Sequence, residues 1–332
     1  MHIPVLLEKS VELWASLDKN RRVKPGIYID ATFGSGGHSS YLLKRCDSRT
    51  KIHLIGIDRD EKIMQKVKTQ SAFSAPTRKQ KDPKNQKLFL FHDNYLNIPK
   101  IISTFKKTRK QNLPINGVFF DLGVNTNQFT AGLGFSFQSK NDPLDMRFDV
   151  KENSPTAADI LNQWHGAELE KIFREYGEEK YSYQVATAIV NKRQKSRYVS
   201  VADLLETLEN ALKKAYRHQK IHYATRIFQS LRIAVNQEFI NIQKGLANAL
   251  KCLAPGGRLA AISFHSGEDR IVKNFFRRES RDCLCPPEIP VCRCGHQKTL
   301  KIITKKPIQP SLTETAKNPN SRSARLRAAE KI

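Results

Sequence analysis

Five short apolar runs recur along the chain, and longer amphipathic or polar stretches separate them. The length of these runs and their β-branched and aromatic content predict strands, while segments such as 39–44 and 60–68 predict helices between them. Strands that alternate with helices indicate an α/β fold, with a mostly parallel sheet covered by helices on both faces. The five predicted strands are residues 27–33, 54–57, 88–91, 118–122 and 259–264.

The strand pattern stops after the fourth run, and helical periodicity replaces it in segments 167–176 and 182–195. Residues 224–250 then read as one long amphipathic helix that precedes the fifth strand. The pattern therefore predicts a discontinuous α/β core interrupted by a helical insertion. The predicted boundaries are 1–124 and 225–332 for the core and 125–224 for the insertion.

The charge of the chain is strongly positive. Among 332 residues, 57 Lys and Arg face 32 Asp and Glu, a formal net charge of +25. This balance favours a polyanionic partner such as nucleic acid, although a Lys-rich composition also keeps a chain soluble. The segment 297–332 holds nine Lys or Arg against two Glu. We expect it to be loosely ordered, either contacting RNA or solvated without a partner.

Membrane and disulfide-rich classes are disfavoured. No apolar run approaches the ~18 residues of a membrane span, and the first ten residues do not resemble a signal peptide. Six cysteines in a chain of this length do not indicate a disulfide framework, so we expect a cytoplasmic protein. We assign no metal to the functional site. Four cysteines, Cys283, Cys285, Cys292 and Cys294, leave open a structural zinc site, a reduced loop or a facultative disulfide.

A glycine-rich turn follows the first predicted strand, in Asp30-Ala-Thr-Phe-Gly34-Ser-Gly36-Gly37-His38. Glycines let the backbone approach a ligand closely, and a helix that begins at such a turn offers free N–H groups. By itself this turn also fits a nucleotide-phosphate loop or a turn with no ligand.

The residues after the next two strands narrow the choice of ligand. Asp58 follows the second strand, where its carboxylate can accept both hydroxyl protons of a ribose or can instead cap the next helix. Tyr95 follows the third strand, where a side chain can flank an adenine ring. The chain lacks the glycine spacing of a dinucleotide site and the phosphate loop of nucleotide hydrolases. Together with a Pro-Gly-Gly turn at 255–257, these features favour S-adenosylmethionine.

Asp121 ends the fourth predicted strand and opens a polar turn that runs to Gln128. An exocyclic amine is a poor nucleophile because its lone pair is delocalised into the ring. A fixed acceptor for its N–H groups can localise that lone pair and align it with a methyl donor. Asp121 is therefore a candidate for catalysis and equally for binding the amino group of the cofactor, with capping of the turn as the structural alternative.

His265 follows the fifth strand and has acids close by in sequence. That grouping could indicate a hydrolase, but the Gly-x-Ser-x-Gly nucleophile turn is absent. We place His265 in the catalytic set with a role in shaping the pocket, because transfer from a sulfonium needs little proton transfer. In the Pro-containing loop 142–149, we expect Asp145 and Arg147 to pair.

The motifs DATFGSGGHS, IDRD, DLGV, GFSF, PLDMRFD, RIFQSLRIAVN and LAPGGRLAAISFHS occur in this order and span nearly the whole chain. Together they resemble the bacterial 16S rRNA cytosine-N4 methyltransferases of the MraW type. The resemblance implies a Rossmann-like S-adenosylmethionine-dependent fold and methylation of a cytosine amine in the decoding region. It also implies an assembled small ribosomal subunit as substrate. We further expect neither DNA nor membrane as a partner, and we predict that the helical insertion recognises RNA.

The resemblance also implies which residues contact the cofactor. Tyr95 replaces a Phe of relatives and keeps an aromatic ring, whereas Asn125-Thr-Asn127 replaces a Ser-Ser-Pro turn and Gly267 replaces a common Leu. None of these changes removes an expected ligand. The implied cofactor residues are Gly36, Gly37, His38, Asp58, Tyr95, Asp121 and Gln128.

Two other functions stay open from the sequence. The same fold could methylate DNA or a protein amine, but the Pro-Pro turn typical of DNA amino-methyltransferases is absent at Asp121. The chain could instead be a non-catalytic RNA-binding assembly factor that retains the fold, which the altered turn at 125–127 supports. The sequence does not decide between a monomer and a dimer.

Overall fold

The computed structural model of the chain describes residues 4–18, 20, 22–47, 49–59, 86–110, 112–123, 132–150, 154–219, 221–286, 288–289 and 291–332. The chain forms two units, Met1–Gly123 with Asn241–Ile332, and Val124–Ile240. The first boundary lies beside the predicted one, whereas the second follows Ile240 rather than residue 224. The reason is that Ile227 and Leu231 are fully buried in the core of the helical unit, which keeps their helix within it.

The first unit is built on a seven-stranded sheet of order β3-β2-β1-β4-β5-β7-β6. The first five strands are parallel, and β7 runs antiparallel to both of its neighbours. The prediction of a mostly parallel sheet is confirmed, and each of the five apolar runs contributes a strand. The strands are β1 Gly26–Asp30, β2 Ile52–Asp58, β3 Gln86–His92, β4 Ile115–Asp121, β5 Arg258–Ser263, β6 Leu300–Ile302 and β7 Arg325–Lys331.

Helices lie between strands of the first unit and are the main secondary structure of the second unit within the described residues. Among the described residues, none of them has both the length and the apolar character needed to cross a lipid bilayer. The described helices are α1 Leu7–Trp14, α2 Gly37–Arg45, α3 Ile98–Arg109, α4 Ala157–Gln163, α5 Gly166–Glu175, α6 Ser182–Arg193, α7 Val201–Leu212, α8 Thr225–Val235, α9 Glu238–Cys252, α10 Ser266–Glu279 and α11 Leu312–Lys317.

The two faces of the sheet carry separate apolar cores because alternate strand residues point to opposite sides. In β1, Ile27 and Ile29 join a core with α3, α9 and α10, whereas Tyr28 joins a core with α1 and α2. All three side chains are fully buried. Helices therefore cover both faces, which explains why the strands read as continuous apolar runs.

The second unit is a helical cluster whose helix starts are encoded locally. Thr156 and Ser200 each form a capping box with the acid three residues later, Asp159 and Asp203 respectively. The expected pair is confirmed in the segment before these helices: Arg147 Nε and Nη2 each donate to a carboxylate oxygen of Asp145, both at 2.8 Å.

The predicted long helix over 224–250 is wrong, because the structure has two helices there, α8 and α9. Asn236 ends the first: its side chain accepts the Phe148 N–H at 2.8 Å and donates to the Met146 carbonyl at 2.8 Å. Gln237 then has a left-handed φ of 50°, which no continuous helix allows. The amphipathic pattern continues through the break, so periodicity alone could not reveal it.

The expectation of a loosely ordered C-terminal segment is also wrong. Strand β7 lies inside the sheet between β5 and β6, and its Leu326, Ala328 and Ala329 are fully buried. The last residues also hold the Pro-Gly-Gly turn, because Lys331 exchanges backbone hydrogen bonds of 2.8 Å with Gly256 and Gly257. The positive charges of this segment are therefore not available as a free tail.

A buried ion pair explains how a strand with two arginines fits in the sheet. Arg327 is buried and donates from Nε and Nη2 to the Asp269 carboxylate of α10, at 2.6 and 3.0 Å. Burial alone would raise the pKa of Asp269, but its hydrogen bonds to Arg327 and the charge of that guanidinium hold the pKa below its ordinary value. The sequence shows only an acid and a base far apart, so this pair could not be predicted.

We expect the substitution Asp269→Ala to lower the free energy of unfolding by about 3–5 kcal/mol, because it leaves the Arg327 guanidinium buried without its counter-charge. Urea denaturation followed by circular dichroism measures the loss. Glu170→Ala, which breaks the exposed Glu170–Arg174 pair of α5, is the matched control and should change the midpoint little. Equal effects of the two substitutions would contradict a stabilising role for the buried pair.

Candidate active site

The glycine-rich turn joins the carboxyl end of β1 to the first residue of α2. Gly34 and Gly36 have left-handed φ values of 52° and 75°, which a residue with a Cβ rarely adopts. Gly37 is required for another reason, because a Cβ there would lie 2.3 Å from Cγ of Pro4. The turn is therefore shaped by backbone conformation at two glycines and by close packing at the third.

Asp58 fixes this turn against the neighbouring strand. It is the last residue of β2, and its Oδ2 accepts the backbone N–H of Gly34 at 2.7 Å. Asp93, just after β3, donates its backbone N–H to the carbonyl of Asp58 at 3.0 Å. The structure thus brings together the glycine turn and Asp58, as the parallel strand arrangement predicts.

Asp30 is a site residue to which the sequence analysis gave no role. It ends β1, is 2% exposed, and accepts a hydrogen bond of 2.6 Å from the Ser39 hydroxyl of α2. Burial raises the pKa of Asp30 to about 6, while the Ser39 hydrogen bond acts in the opposite direction. The sequence signal that could have identified Asp30 is a carboxylate at the end of a strand of buried residues, because burying a charged group costs free energy unless it has a role or a partner.

His38 is buried in the first turn of α2, and its two ring nitrogens face different partners. Nε2 lies 3.0 Å from the carbonyl oxygen of Val5, and Nδ1 lies 3.9 Å from Oδ2 of Asp121. Burial lowers the pKa of His38, so the ring is neutral near pH 7. Because a carbonyl only accepts, the proton is on Nε2 and the lone pair of Nδ1 is directed toward Asp121.

Asp121 lies at the carboxyl end of β4, the strand beside β1. Its backbone N–H donates to the Thr32 hydroxyl at 2.6 Å, which ties it to the turn that follows β1. Strands β2 and β3 lie on one side of β1, whereas β4 and β5 lie on the other side. The strand order therefore reverses between β1 and β4. Ligands of open α/β sheets bind at the carboxyl ends of the strands at this position.

Tyr95 is positioned by the segment that follows β3. Its ring packs edge-to-face on Phe120, with centroids 5.5 Å apart, and lies against Gly245 of α9, where a Cβ would be 2.6 Å from the ring. Tyr95 therefore has a defined position just beyond the carboxyl end of β3. Gln128 and the turn 125–127 lie outside the described residues, so the structure does not place that predicted ligand.

His265 is a helix cap. It is the N-cap residue of α10, where its Nδ1 accepts the Glu268 N–H at 3.4 Å and its Nε2 lies 3.1 Å from the Glu268 carboxylate. Phe264 beside it packs on Gly123, where a Cβ would be 2.7 Å from the ring. The structure thus brings the ends of β4 and β5 together, and the assignment of His265 to the catalytic set stays a prediction.

Comparison with known proteins gives one consistent family. The model of the MraW methylase family matches residues 1–332. A protein of Carboxydothermus hydrogenoformans named ribosomal RNA small subunit methyltransferase H is 42% identical over 333 residues, covering 100% of this chain and 98% of that protein. A protein of the same name from Halothermothrix orenii is 42% identical over 332 residues, with coverage of 100% and 98%.

Solved structures show only a weak similarity. An rRNA methylase from Streptococcus thermophilus aligns with a TM-score of 0.40 and 12% identity, over 100% of this chain and 99% of that chain. A TM-score this low supports no inference about the site.

The raised pKa of Asp30 predicts the sign of a pH effect. Between its ordinary pKa of 3.8 and about 6, the folded state binds more protons at this carboxyl than the unfolded state does. Stability from this group is therefore greatest at low pH and falls as the pH rises through that window, by up to about 2–3 kcal/mol.

We expect Asp30→Asn to remove this slope, which urea denaturation between about pH 4 and 7 measures. Asp282→Asn, a change of an exposed acid, is the control and should keep the slope of the wild type. A wild-type slope that persists in Asp30→Asn would contradict the assignment of the raised pKa to Asp30.

Proposed function

The chain belongs to the MraW methylase family, and from this premise we propose that it methylates the exocyclic N4 amine of a cytosine in the decoding region of 16S rRNA. Its methyl donor is S-adenosylmethionine. The name shared by relatives that are 42% identical over their full length supports small-subunit rRNA as the substrate class. The choice of cytosine N4 and of the assembled small subunit rests on the chemistry of the site and the motif resemblance.

The observation that carries this proposal is the position of Asp121. Its carboxylate stands at the end of β4 where the strand order reverses, and the Thr32 hydroxyl holds its backbone at 2.6 Å. The glycine turn after β1 lies on the other side of the same boundary. A methyl donor bound on the glycine turn would therefore lie beside a fixed acceptor for amine N–H groups.

The residues around the turn fit the parts of the methyl donor. No side chain caps α2 at Gly36, so the first backbone N–H groups of this helix suit the donor's carboxylate. Asp58 has the position and charge to bind ribose hydroxyls, and the ring of Tyr95 can flank the adenine. Gly36, Gly37, His38 and Asp121 complete the set that we propose for the donor within the described residues.

In the proposed reaction, Asp121 accepts a hydrogen bond from the cytosine amine and directs its lone pair toward the methyl group. When bound, S-adenosylmethionine would supply an electrophilic methyl group, and its sulfur would take the electron pair of the broken carbon–sulfur bond as the carbon–nitrogen bond forms. The nitrogen then loses a proton, which Asp121 can accept and pass to solvent. A fixed acceptor needs no reorganisation during this step, which is the source of its effect.

The neutral state of His38 fits this reaction. A protonated imidazole 3.9 Å from Asp121 would compete with the amine for the carboxylate and would repel the positive sulfonium. Burial lowers the pKa of His38 and keeps the ring neutral, against the opposing effects of the Val5 carbonyl and the Asp30 charge. The Val5 carbonyl instead fixes the tautomer, because it accepts the proton of Nε2 and leaves the lone pair on Nδ1. We propose that His38 positions the site without transferring a proton.

The distribution of charge indicates which unit binds the RNA backbone. Residues 124–240 hold 16 Lys and Arg against 14 Asp and Glu, whereas the rest of the chain holds 41 against 18. Because phosphate contacts dominate RNA affinity, we propose that the core unit supplies most of them. Recognition by the helical unit stays a proposal, and with near-neutral charge it would act through shape and base contacts.

We expect the protein and S-adenosylmethionine to add one methyl group to a cytosine of small-subunit rRNA, detected by mass spectrometry of nuclease fragments. Asp121→Ala should reduce the single-turnover rate at least about 100-fold, in the range for losing a positioned catalytic group. Calorimetry with the demethylated product separates the two candidate roles: unchanged affinity supports catalysis, and weaker affinity supports cofactor binding.

Unaltered turnover in Asp121→Ala would remove Asp121 from the mechanism. If the wild type binds S-adenosylmethionine but transfers no methyl group to any small-subunit RNA, the non-catalytic assembly factor becomes the better explanation. Methylation at another atom of the base would contradict the N4 assignment and leave the family and the donor site intact.

A second prediction tests the proposed ribose contact. Asp58→Asn keeps an oxygen for the Gly34 N–H but loses the charge, so we expect weaker cofactor binding by about 1.5–3 kcal/mol, or roughly 10–150-fold in Kd. Calorimetry measures this change, and RNA affinity in filter binding should stay at the wild-type value. Unchanged cofactor affinity would contradict the assignment of Asp58.

A further inference from the structure

The described residues of the segment between α10 and β6 form a long surface loop, and they contribute none of the buried side chains of the apolar cores. Its described residues contain neither helix nor strand, and its apolar side chains are exposed, with Ile289 at 40% and Val291 at 68%. Its base is fastened to the end of α10: Thr299 donates its N–H to the Glu279 carbonyl at 2.9 Å and its hydroxyl to the Glu279 carboxylate at 2.8 Å, and His296 Nε2 lies 3.1 Å from the Arg278 carbonyl oxygen. Loops of this length without secondary structure are uncommon in compact domains, and they are usually functional or disordered.

Four thiols converge in the middle of this loop. The Sγ atoms of Cys283, Cys285, Cys292 and Cys294 all lie within 4.8 Å of one another. Three of the separations are 3.3 Å for Cys283–Cys292, 3.6 Å for Cys292–Cys294 and 3.8 Å for Cys283–Cys294. Sulfurs at the corners of a tetrahedron around zinc, each ~2.3 Å from the metal, would be about 3.8 Å apart. The cluster is therefore close to the size of an all-thiolate zinc site.

The backbone of the loop is arranged around the sulfurs. The N–H groups of Leu284, Cys285 and Arg293 donate to Sγ of Cys294, Cys283 and Cys285 at 3.3, 3.3 and 3.4 Å. Hydrogen bonds to ligand atoms orient them and stabilise their charged form. The Leu284 and Arg293 N–H groups each donate to a cysteine of the other Cys-x-Cys segment, so the two segments are held against each other.

The charge near the cluster also suits a metal site. Four thiolates and one Zn²⁺ carry a net charge of −2, which favourable nearby cations would offset. Arg281, Arg293 and Lys298 belong to the same loop and are exposed, and they outnumber its two exposed acids, Asp282 and Glu288. Gly295, with a left-handed φ of 61°, lets the chain turn away directly after the last cysteine.

We propose that Cys283, Cys285, Cys292 and Cys294 bind one structural zinc ion that fastens the loop over residues 280–299. Four protein ligands leave no open position for water or substrate, so the site is structural rather than catalytic. The two other interpretations of the sequence fit the geometry less well. A disulfide joins two sulfurs, whereas Cys294 lies close to both Cys283 and Cys292, and an unliganded loop gives no reason for all four to converge.

The test uses the full chain, purified without a polyhistidine tag under reducing conditions after expression with zinc, and measures metal by inductively coupled plasma mass spectrometry. We expect one zinc per chain in the wild type and a loss of zinc in the double variant Cys292→Ser/Cys294→Ser. The matched control, Cys46→Ser/Cys252→Ser, changes the two cysteines outside the loop and should keep its zinc. The cluster variant is expected to fold because Glu279 and Thr299 still close the loop.

A second measurement on the wild type does not depend on any variant. Replacement of zinc by cobalt(II) should give the visible absorption of a tetrahedral thiolate site, and the four loop cysteines should resist alkylation until the metal is removed. Substoichiometric zinc in the wild type, zinc retained by the cluster variant, or iron in place of zinc would overturn the proposal. So would disulfides found among these cysteines by mass spectrometry of the reduced preparation.

Discussion

The reversal of strand order between β1 and β4 is the constraint on which the site depends. Because the two strands are parallel neighbours, their carboxyl ends lie side by side, and the turn after β1 must pass close to Asp121. The Thr32 hydroxyl uses this proximity to hold the Asp121 backbone, and Asp58 holds the turn from the opposite side through Gly34. Three strand ends are therefore fixed relative to one another before any ligand binds.

Burial of ionisable groups accompanies this arrangement. Asp30 and His38 lie at the two ends of the glycine turn, and both are buried. Burial raises the pKa of Asp30 and lowers the pKa of His38, so each side chain favours its neutral form more than it would in water. Asp269 differs because Arg327 neutralises it directly. The sheet thus contains two kinds of buried ionisable group. Those beside the candidate site have shifted pKa values, as is common at functional sites, whereas the Asp269–Arg327 pair secures the antiparallel strand β7.

The chain separates electrostatic attraction from precise positioning. Most of the positive charge belongs to the core unit by sequence, while the glycine-rich turn and its surroundings consist of glycines, carboxylates and a neutral histidine. A polyanion can therefore be attracted by the surface without placing cations beside a sulfonium. The cysteine loop extends the same core unit, and a metal there would order a surface that its exposed apolar residues cannot.

Strands β1 to β5, the glycine turn and the acids at the strand ends could all be predicted from local sequence, because strands buried on both faces are apolar runs and the turn needs glycine. Strand β7 could not be predicted in this way, because its Arg327 is buried in the sheet and is neutralised by Asp269, which lies 58 positions away in the chain. The tertiary structure also decided the break at Asn236, the capping by His265, the buried state of Asp30 and the convergence of the four thiols. These features depend on contacts between distant segments, and local periodicity contains no information about which distant residue will be the partner.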